Sequence, residues 1–66
     1  MNVTINGVRK SFQAPLNIKD ALAQEGYDGM MVAVARNGTF VAKMNYANTT
    51  IENGDDIEIV APMQGG

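Results

Sequence analysis

Hydrophobic positions along this chain switch between a period of two and a helical period, and the switches mark out strands around one helix. Val3 and Ile5 alternate with Asn2, Thr4 and Asn6, the pattern of a strand buried on one face. Asn6-Gly7 follows, a pair suited to a type I′ hairpin because both central residues must take positive φ. The return strand runs from Val8 to Gln13, with Val8 and Phe12 on one face and Lys10 between them. Either Lys10 snorkels at a sheet edge or the register slips there. Ala14-Pro15-Leu16 breaks the strand, since proline donates nothing to a ladder. Asn17 then caps a helix, Asp20 sits near its positive end, and Leu16 is placed to staple against Ala21. Ile18, Ala21 and Leu22 form the buried stripe, and Gly26 stops the helix as a left-handed C′ residue. At about two turns, this helix needs a sheet to hold it.

Tyr27-Asp28-Gly29 reads as a loop, and the apolar run from Met30 to Ala35 as a central strand. Asn37-Gly38 supplies a second hairpin turn, and Thr39 to Ala42 returns. From Met44 to Thr50 the pattern is irregular, with room for a short helical turn and with Tyr46 and Ile51 as anchors. Glu52-Asn53-Gly54-Asp55 turns the chain into a last strand whose Ile57 and Ile59 point inward and whose Glu58 points outward. The order is hairpin, helix, hairpin, connector, strand. One helix covering one face of a mixed sheet is the economical packing for these elements. The last strand can lie parallel to the first only across a long crossover, which the intervening elements provide. The expectation is an α+β fold, the ubiquitin-like β-grasp, with a mixed five-stranded (or four-stranded) sheet and a central final strand.

Length confines this design to one domain, residues 1–61, followed by a flexible tail, residues 62–66. A chain of 66 residues buries only about 60% of its unfolded surface, enough for one modest core and too little for an enclosed active site with a cofactor cavity. With no His and no Cys, Ser-His and Cys-His nucleophiles, zinc sites of the usual kind and disulfides are all excluded. No apolar run approaches the ~20 residues of a membrane span, and the start lacks a signal-peptide pattern. A soluble cytoplasmic protein is expected. The formal net charge is −2, with Arg9, Lys10 and Lys19 early and Glu52, Asp55, Asp56 and Glu58 clustered just before the tail. No basic stripe for nucleic acid is present. The acidic cluster has two readings, a surface that steers a basic partner or a turn kept polar for solubility.

The ending, Pro62-Met63-Gln64-Gly65-Gly66, carries the sharpest chemical signal. Two terminal glycines pack nothing and are the costliest residues to order, so they do not serve stability. They read either as a frayed end or as a thin arm that presents the Gly66 carboxylate to a narrow site.

These residues together resemble the ThiS family, the sulfur carriers of thiamin thiazole synthesis within the ThiS/MoaD group. The resemblance covers the whole chain. It rests on Ile5-Asn6-Gly7, the helix from Leu16 to Leu22, the segment from Val32 to Gly38, the segment from Asn53 to Ile59, and above all Pro62-Met63-Gln64-Gly65-Gly66. Arg36 is a mild departure, standing before Asn-Gly where an apolar residue is common.

The resemblance implies that the chain is a substrate and donor, with no bound cofactor or metal. A ThiF-like adenylating enzyme would use MgATP to activate Gly66. Sulfur from a cysteine desulfurase or another persulfide source would make a C-terminal thiocarboxylate, and a ThiG-like thiazole synthase would accept it. Pro62, Met63, Gln64, Gly65, Asp55, Asp56 and Glu58 would contact partners, and the carrier would act as a monomer without nucleic acid or membrane. Three alternatives share the fold: a MoaD-type donor for molybdopterin synthesis, a conjugated ubiquitin-like modifier, and a binding-only module. A binding module should tolerate loss of both terminal glycines.

Overall fold

Five strands form one mixed sheet, and a single helix lies across one of its faces. The computed structural model describes residues 1–61, so the expected tail, 62–66, lies outside the described residues. The elements are β1 (Asn2–Ile5), β2 (Val8–Ser11), α1 (Ile18–Gln24), β3 (Ala33–Arg36), β4 (Thr39–Val41), a short 3-10 turn (Lys43–Asn45) and β5 (Asp56–Val60). Their order across the sheet is β2-β1-β5-β3-β4, with β5 parallel to β1 and antiparallel to β3. This is the β-grasp arrangement predicted from the pattern, with the last strand in the centre. Among the described residues no helix is long and apolar enough to cross a membrane.

Both hairpins turn where Asn-Gly requires it. Asn6 and Gly7 have φ of 51° and 82°, Asn37 and Gly38 of 52° and 81°, the positive pairs of type I′ turns. Ile5 pairs with Val8 and Arg36 with Thr39, so each loop is two residues long. Asn6 contributes beyond its backbone: Ile59 N–H donates to its Oδ1 at 2.7 Å, and its Nδ2 donates to the Ile59 carbonyl at 3.1 Å. The turn is thereby tied to β5.

The helix is bounded as its sequence dictates. Asn17 Oδ1 accepts from Asp20 N–H at 2.7 Å. The two preceding helical N–H groups, which have no partner inside the helix, donate to the connector instead, Ile18 to the Thr49 carbonyl and Lys19 to that of Tyr46. At the other end Tyr27 N–H reaches the Leu22 carbonyl and Gly26 N–H that of Ala23, the paired bonds of a Schellman stop, with Gly26 at φ 87°. Ile18, Ala21 and Leu22 face Val3, Ile5, Val34, Val41, Ile57 and Ile59 of the sheet, and Leu16 and Ile51 close the core from the side.

Three expectations at the edges are corrected. The return strand ends at Ser11 and not at Gln13, although Phe12 N–H still donates to the Met1 carbonyl before the chain turns off towards Pro15. The third strand begins at Ala33; Met30 and Met31 are 50% and 79% exposed and belong to the lead-in, because the chain is still leaving the helix there. The fourth strand stops at Val41, one residue short of Ala42. Lys10 lies opposite Val3 with no slip in register, and its ammonium crosses the sheet edge to Glu25 at the helix end, 2.7 Å away. The snorkelling alternative is the one adopted. Tyr46 and Ile51 anchor the connector: the Tyr46 hydroxyl donates to the Val32 carbonyl and Ile51 N–H to that of Leu16.

The Asn6 turn separates two contributions cleanly. Asn6→Gly keeps the positive φ and loses only the two bonds to Ile59, which should cost about 1–2 kcal/mol. Asn6→Ala loses them and adds left-handed strain of roughly another 1–2 kcal/mol. Urea denaturation of both variants checks the order; an Ala variant as stable as the Gly variant would refute it.

Candidate functional site

β5 is held on both sides, so its two ends are fixed points on the molecule. Its register with β3 places Val60 opposite Ala33, and its register with β1 places Asp56 opposite Thr4. The chain leaves the sheet beyond Val60, at the end that also holds the Asn6-Gly7 turn, the start of β3 and the end of β4. Ala61, half-buried, is the last described residue. Pro62, Met63, Gln64, Gly65 and Gly66, the expected reacting arm, lie outside the described residues.

The acidic cluster that is continuous in sequence is divided in space. Asp55 and Asp56 stand at the start of β5, and four strand residues at about 3.3 Å each separate Asp56 from Val60 by roughly 13 Å. They lie at the end of β5 away from Val60, while Glu58 stands midway along the strand. Asp56 and Glu58 are exposed on the face away from the helix. Asp55 is buried, with 7% of its surface exposed, and is not part of that surface.

What Asp55 does is visible in its partners. Arg36 Nε donates to Oδ2 at 2.6 Å, Glu52 N–H donates to the same oxygen at 2.8 Å, and Asn37 Nδ2 donates to Oδ1 at 3.0 Å. Asn37 completes the clamp by accepting from Asp56 N–H at its Oδ1, 2.9 Å away. Burial pushes the Asp55 carboxyl pKa up, but the hydrogen bonds from Arg36, Glu52 and Asn37, with the Arg36 charge, outweigh it and hold it below the ordinary value. Arg36, the departure noted in the sequence, is thus the counter-ion of a carboxylate that binds the 52–55 turn to the β3–β4 hairpin.

The open face also carries residues that sequence reasoning passed over. Phe40 is 69% and Val60 64% exposed. The register sets Phe40, Ala35 and Glu58 side by side, with Ala33 and Val60 one step nearer the end of β5. An exposed aromatic and a valine beside alanines form an apolar strip with one carboxylate in it, the composition of a docking face. The signal was available, because Val41 and Ile59 point inward and alternation then sends Phe40 and Val60 outward.

Comparison with known proteins decides the family. The ThiS family model matches residues 3–66. The chain belongs to the ThiS family. A crystal structure of a thiamine biosynthesis protein (ThiS) from Geobacter metallireducens superposes with a TM-score of 0.82 at 30% identity, covering 100% of both chains. The solution structure of a thiamine biosynthesis protein from the same organism gives 0.82 at 29% identity, covering 100% of this chain and 88% of that one. A thiazole synthase from Paramagnetospirillum magneticum is 39% identical over 66 residues, taking in the whole of this chain. The chain spans only 20% of that protein's length.

The Asp55 clamp makes stability depend on pH with a defined sign. A carboxylate whose folded pKa is lowered contributes stability fully above the unfolded value of about 3.9, and this is lost as pH falls through the lower folded value. Asp55→Asn should cost about 2–4 kcal/mol at neutral pH, because Arg36 loses its counter-ion. The gap between wild type and variant should narrow steadily below about pH 4. Urea midpoints across that range test it; a gap that stays constant into acid would rule the mechanism out.

Proposed function

We propose that this protein is the sulfur carrier of thiamin thiazole formation and that Gly66 carries the sulfur. The observation that carries the reading is the family match through residue 66, joined to a central strand that delivers the chain to the sheet's end. The thiazole synthase with a like segment in its own chain favours the thiamin branch over a molybdopterin donor.

The chemistry follows from the state of a terminal carboxyl group. Its pKa of about 3.3–3.7 leaves it ionised at neutral pH and a poor electrophile. A ThiF-like enzyme would use MgATP to form the acyl-adenylate, with pyrophosphate leaving. The terminal sulfur of a persulfide would displace AMP, and a thiol would cleave the resulting acyl disulfide to leave the thiocarboxylate. The catalysis belongs to the partner enzymes, and the carrier is their substrate and then the donor to the thiazole synthase, in the cytoplasm. Gly65 lets backbone pass a constriction that a Cβ would block. Five residues from Pro62 to Gly66 reach at most roughly 17 Å, enough to enter a recessed site from a docked domain. Pro62, Met63 and Gln64 contact the walls of that passage.

The open face supplies the docking surface for the adenylating enzyme. Phe40 and Val60 give apolar contact, while Glu58 and Asp56 steer a basic counterpart. Asp55 supports that surface from below and does not meet the partner.

Intact mass after incubation with the cognate adenylating enzyme, MgATP and a persulfide source should show replacement of one oxygen by sulfur. Deletion of Gly66 should abolish the gain, and no gain with an enzyme proven active refutes the reading. Gly65→Ala should fold normally and be a poor adenylation substrate. Asp56→Asn with Glu58→Gln should slow association with the adenylating enzyme by roughly threefold at low salt and little at high salt. An unchanged on-rate would return these two side chains to solubility alone.

A further inference from the structure

Three Asn-Gly pairs punctuate the chain, at Asn6-Gly7, Asn37-Gly38 and Asn53-Gly54. This dipeptide is the one most open to spontaneous deamidation, because a glycine without Cβ leaves its own backbone nitrogen unshielded. That nitrogen, once deprotonated, attacks the asparagine Cγ. The new N–C bond closes a succinimide ring, and the side-chain Nδ2 leaves as ammonia. Water then opens the ring at either carbonyl, giving aspartate or isoaspartate. The net change is amide NH2 for OH, with water as the only co-reactant.

All six residues are exposed, so access to water does not separate the three sites. Hydrogen bonding does. Ring closure needs the side-chain amide to swing onto the next nitrogen, and every bond that holds it opposes this. Asn6 is held at both atoms by β5, its Oδ1 by Ile59 N–H at 2.7 Å and its Nδ2 by the Ile59 carbonyl at 3.1 Å. Asn37 is held in the same way, its Nδ2 donating to Asp55 Oδ1 at 3.0 Å and its Oδ1 accepting from Asp56 N–H at 2.9 Å. Asn53 is held at one atom. Its Oδ1 accepts from Asn2 N–H at 2.7 Å, while Nδ2, the leaving group, has no hydrogen-bond partner among the described residues. Gly54 N–H donates to the Asn2 carbonyl at 2.7 Å, so that bond at the start of β1 must also open before attack.

The products differ as well. Conversion of Asn37 would set a second carboxylate against Asp55 Oδ1, and conversion of Asn6 would turn an acceptor towards the Ile59 carbonyl. Conversion of Asn53 keeps an oxygen for Asn2 N–H. The two sites where the product would loosen a hairpin from β5 are the two that are locked.

We infer that Asn53-Gly54 is a modification site of this chain, deamidating in the folded protein while the sheet protects Asn6 and Asn37. Conversion adds a negative charge between Glu52 and Asp55, in the turn that enters β5. The isoaspartate form also lengthens the turn's backbone by a methylene, which displaces Gly54 from the Asn2 carbonyl. The inference stands on these hydrogen bonds and is independent of the sulfur-carrier reading.

The test holds the full chain at physiological temperature, at neutral and at mildly alkaline pH, with a parallel sample in urea. Peptide mass mapping with chromatographic separation of the isoaspartate form follows each site. In the folded protein Asn53 should convert roughly tenfold faster than Asn6 or Asn37, because its amide is held by fewer side-chain bonds. The rate should rise with pH, since the attacking nitrogen must lose its proton. In urea the three sites should convert at similar rates, as each is followed by glycine. Asn53→Asp should leave the thermal midpoint close to that of wild type, and Asn37→Asp should lower it. Asn6 or Asn37 converting as fast as Asn53 in the folded chain would overturn the inference. So would an Asn53 that stays intact when folded yet converts in urea.

Discussion

The parallel pairing of β1 with β5 is the contact on which the rest of the molecule depends. It joins the two ends of the chain across some fifty residues, and everything between them is the crossover that makes it possible. Two regular register pairs, Thr4–Asp56 and Ile5–Ile57, would be a thin basis for such a closure. Asparagine side chains lengthen it at both ends. Asn53 Oδ1 accepts from Asn2 N–H at 2.7 Å, and Asn6 exchanges two bonds with Ile59 at the other end. Between them Thr4 and Asn6 N–H groups donate to the Asp55 and Ile57 carbonyls. The register is thus fixed beyond the strand itself, and a slip of one residue would turn Ile57 and Ile59 out of the core.

The start of β5 is fixed by a different device. Asp55 gathers the Glu52 backbone, Arg36 and Asn37 onto one carboxylate, so the turn entering β5 and the hairpin leaving β3 move as one piece. A domain this small gains little from area alone, since it buries only about 60% of its unfolded surface. Placing a charge in its scarce interior would be unfavourable if either oxygen were left without a partner. Here each oxygen has at least one donor, and no buried side-chain nitrogen or oxygen is unpartnered among the described residues. Exchanging Arg36 for an apolar residue would leave Asp55 with the Asn37 and Glu52 donors but without its counter-ion.

Much of this was legible in the sequence because local chemistry and global fold agree. Asn6-Gly7 and Asn37-Gly38 force two-residue turns, Asn17 and Gly26 bound the helix, and the alternation of Ile57 and Ile59 sets the face of β5. What was not legible depended on contacts distant in sequence. Asp55 looks like its neighbours in a run of acids; alternation with Ile57 and Ile59 points it inward, but its partners Arg36 and Asn37 lie 19 and 18 residues away. Met30 and Met31 read as strand because they are apolar, yet the chain has not regained the sheet when it passes them. Asp55 and Asp56, close to Val60 in sequence, stand at the opposite end of β5, because an extended strand moves its ends apart faster than any other element. The chemistry expected at Gly65-Gly66 came from the resemblance to the family, and those residues lie outside the described structure.

A sulfur carrier acting through its terminus, as proposed, would have to solve a problem of aim. An arm of five residues beyond Ala61 spans at most about 17 Å, so where it starts matters. Starting it from the central strand, held on both sides, makes the origin of the arm a fixed point relative to every surface of the domain. On the proposed reading, docking of the domain on an enzyme would fix where the arm begins, with little further ordering required at the origin. An origin on an edge strand such as β2 or β4 would have one neighbour, looser register and a greater entropic cost at each delivery. Asp56, roughly 13 Å up the strand from Val60, lies beyond a Debye length of about 10 Å at 0.1 M salt. On the proposed reading it would steer an approaching partner from the end of β5 opposite the origin of the arm.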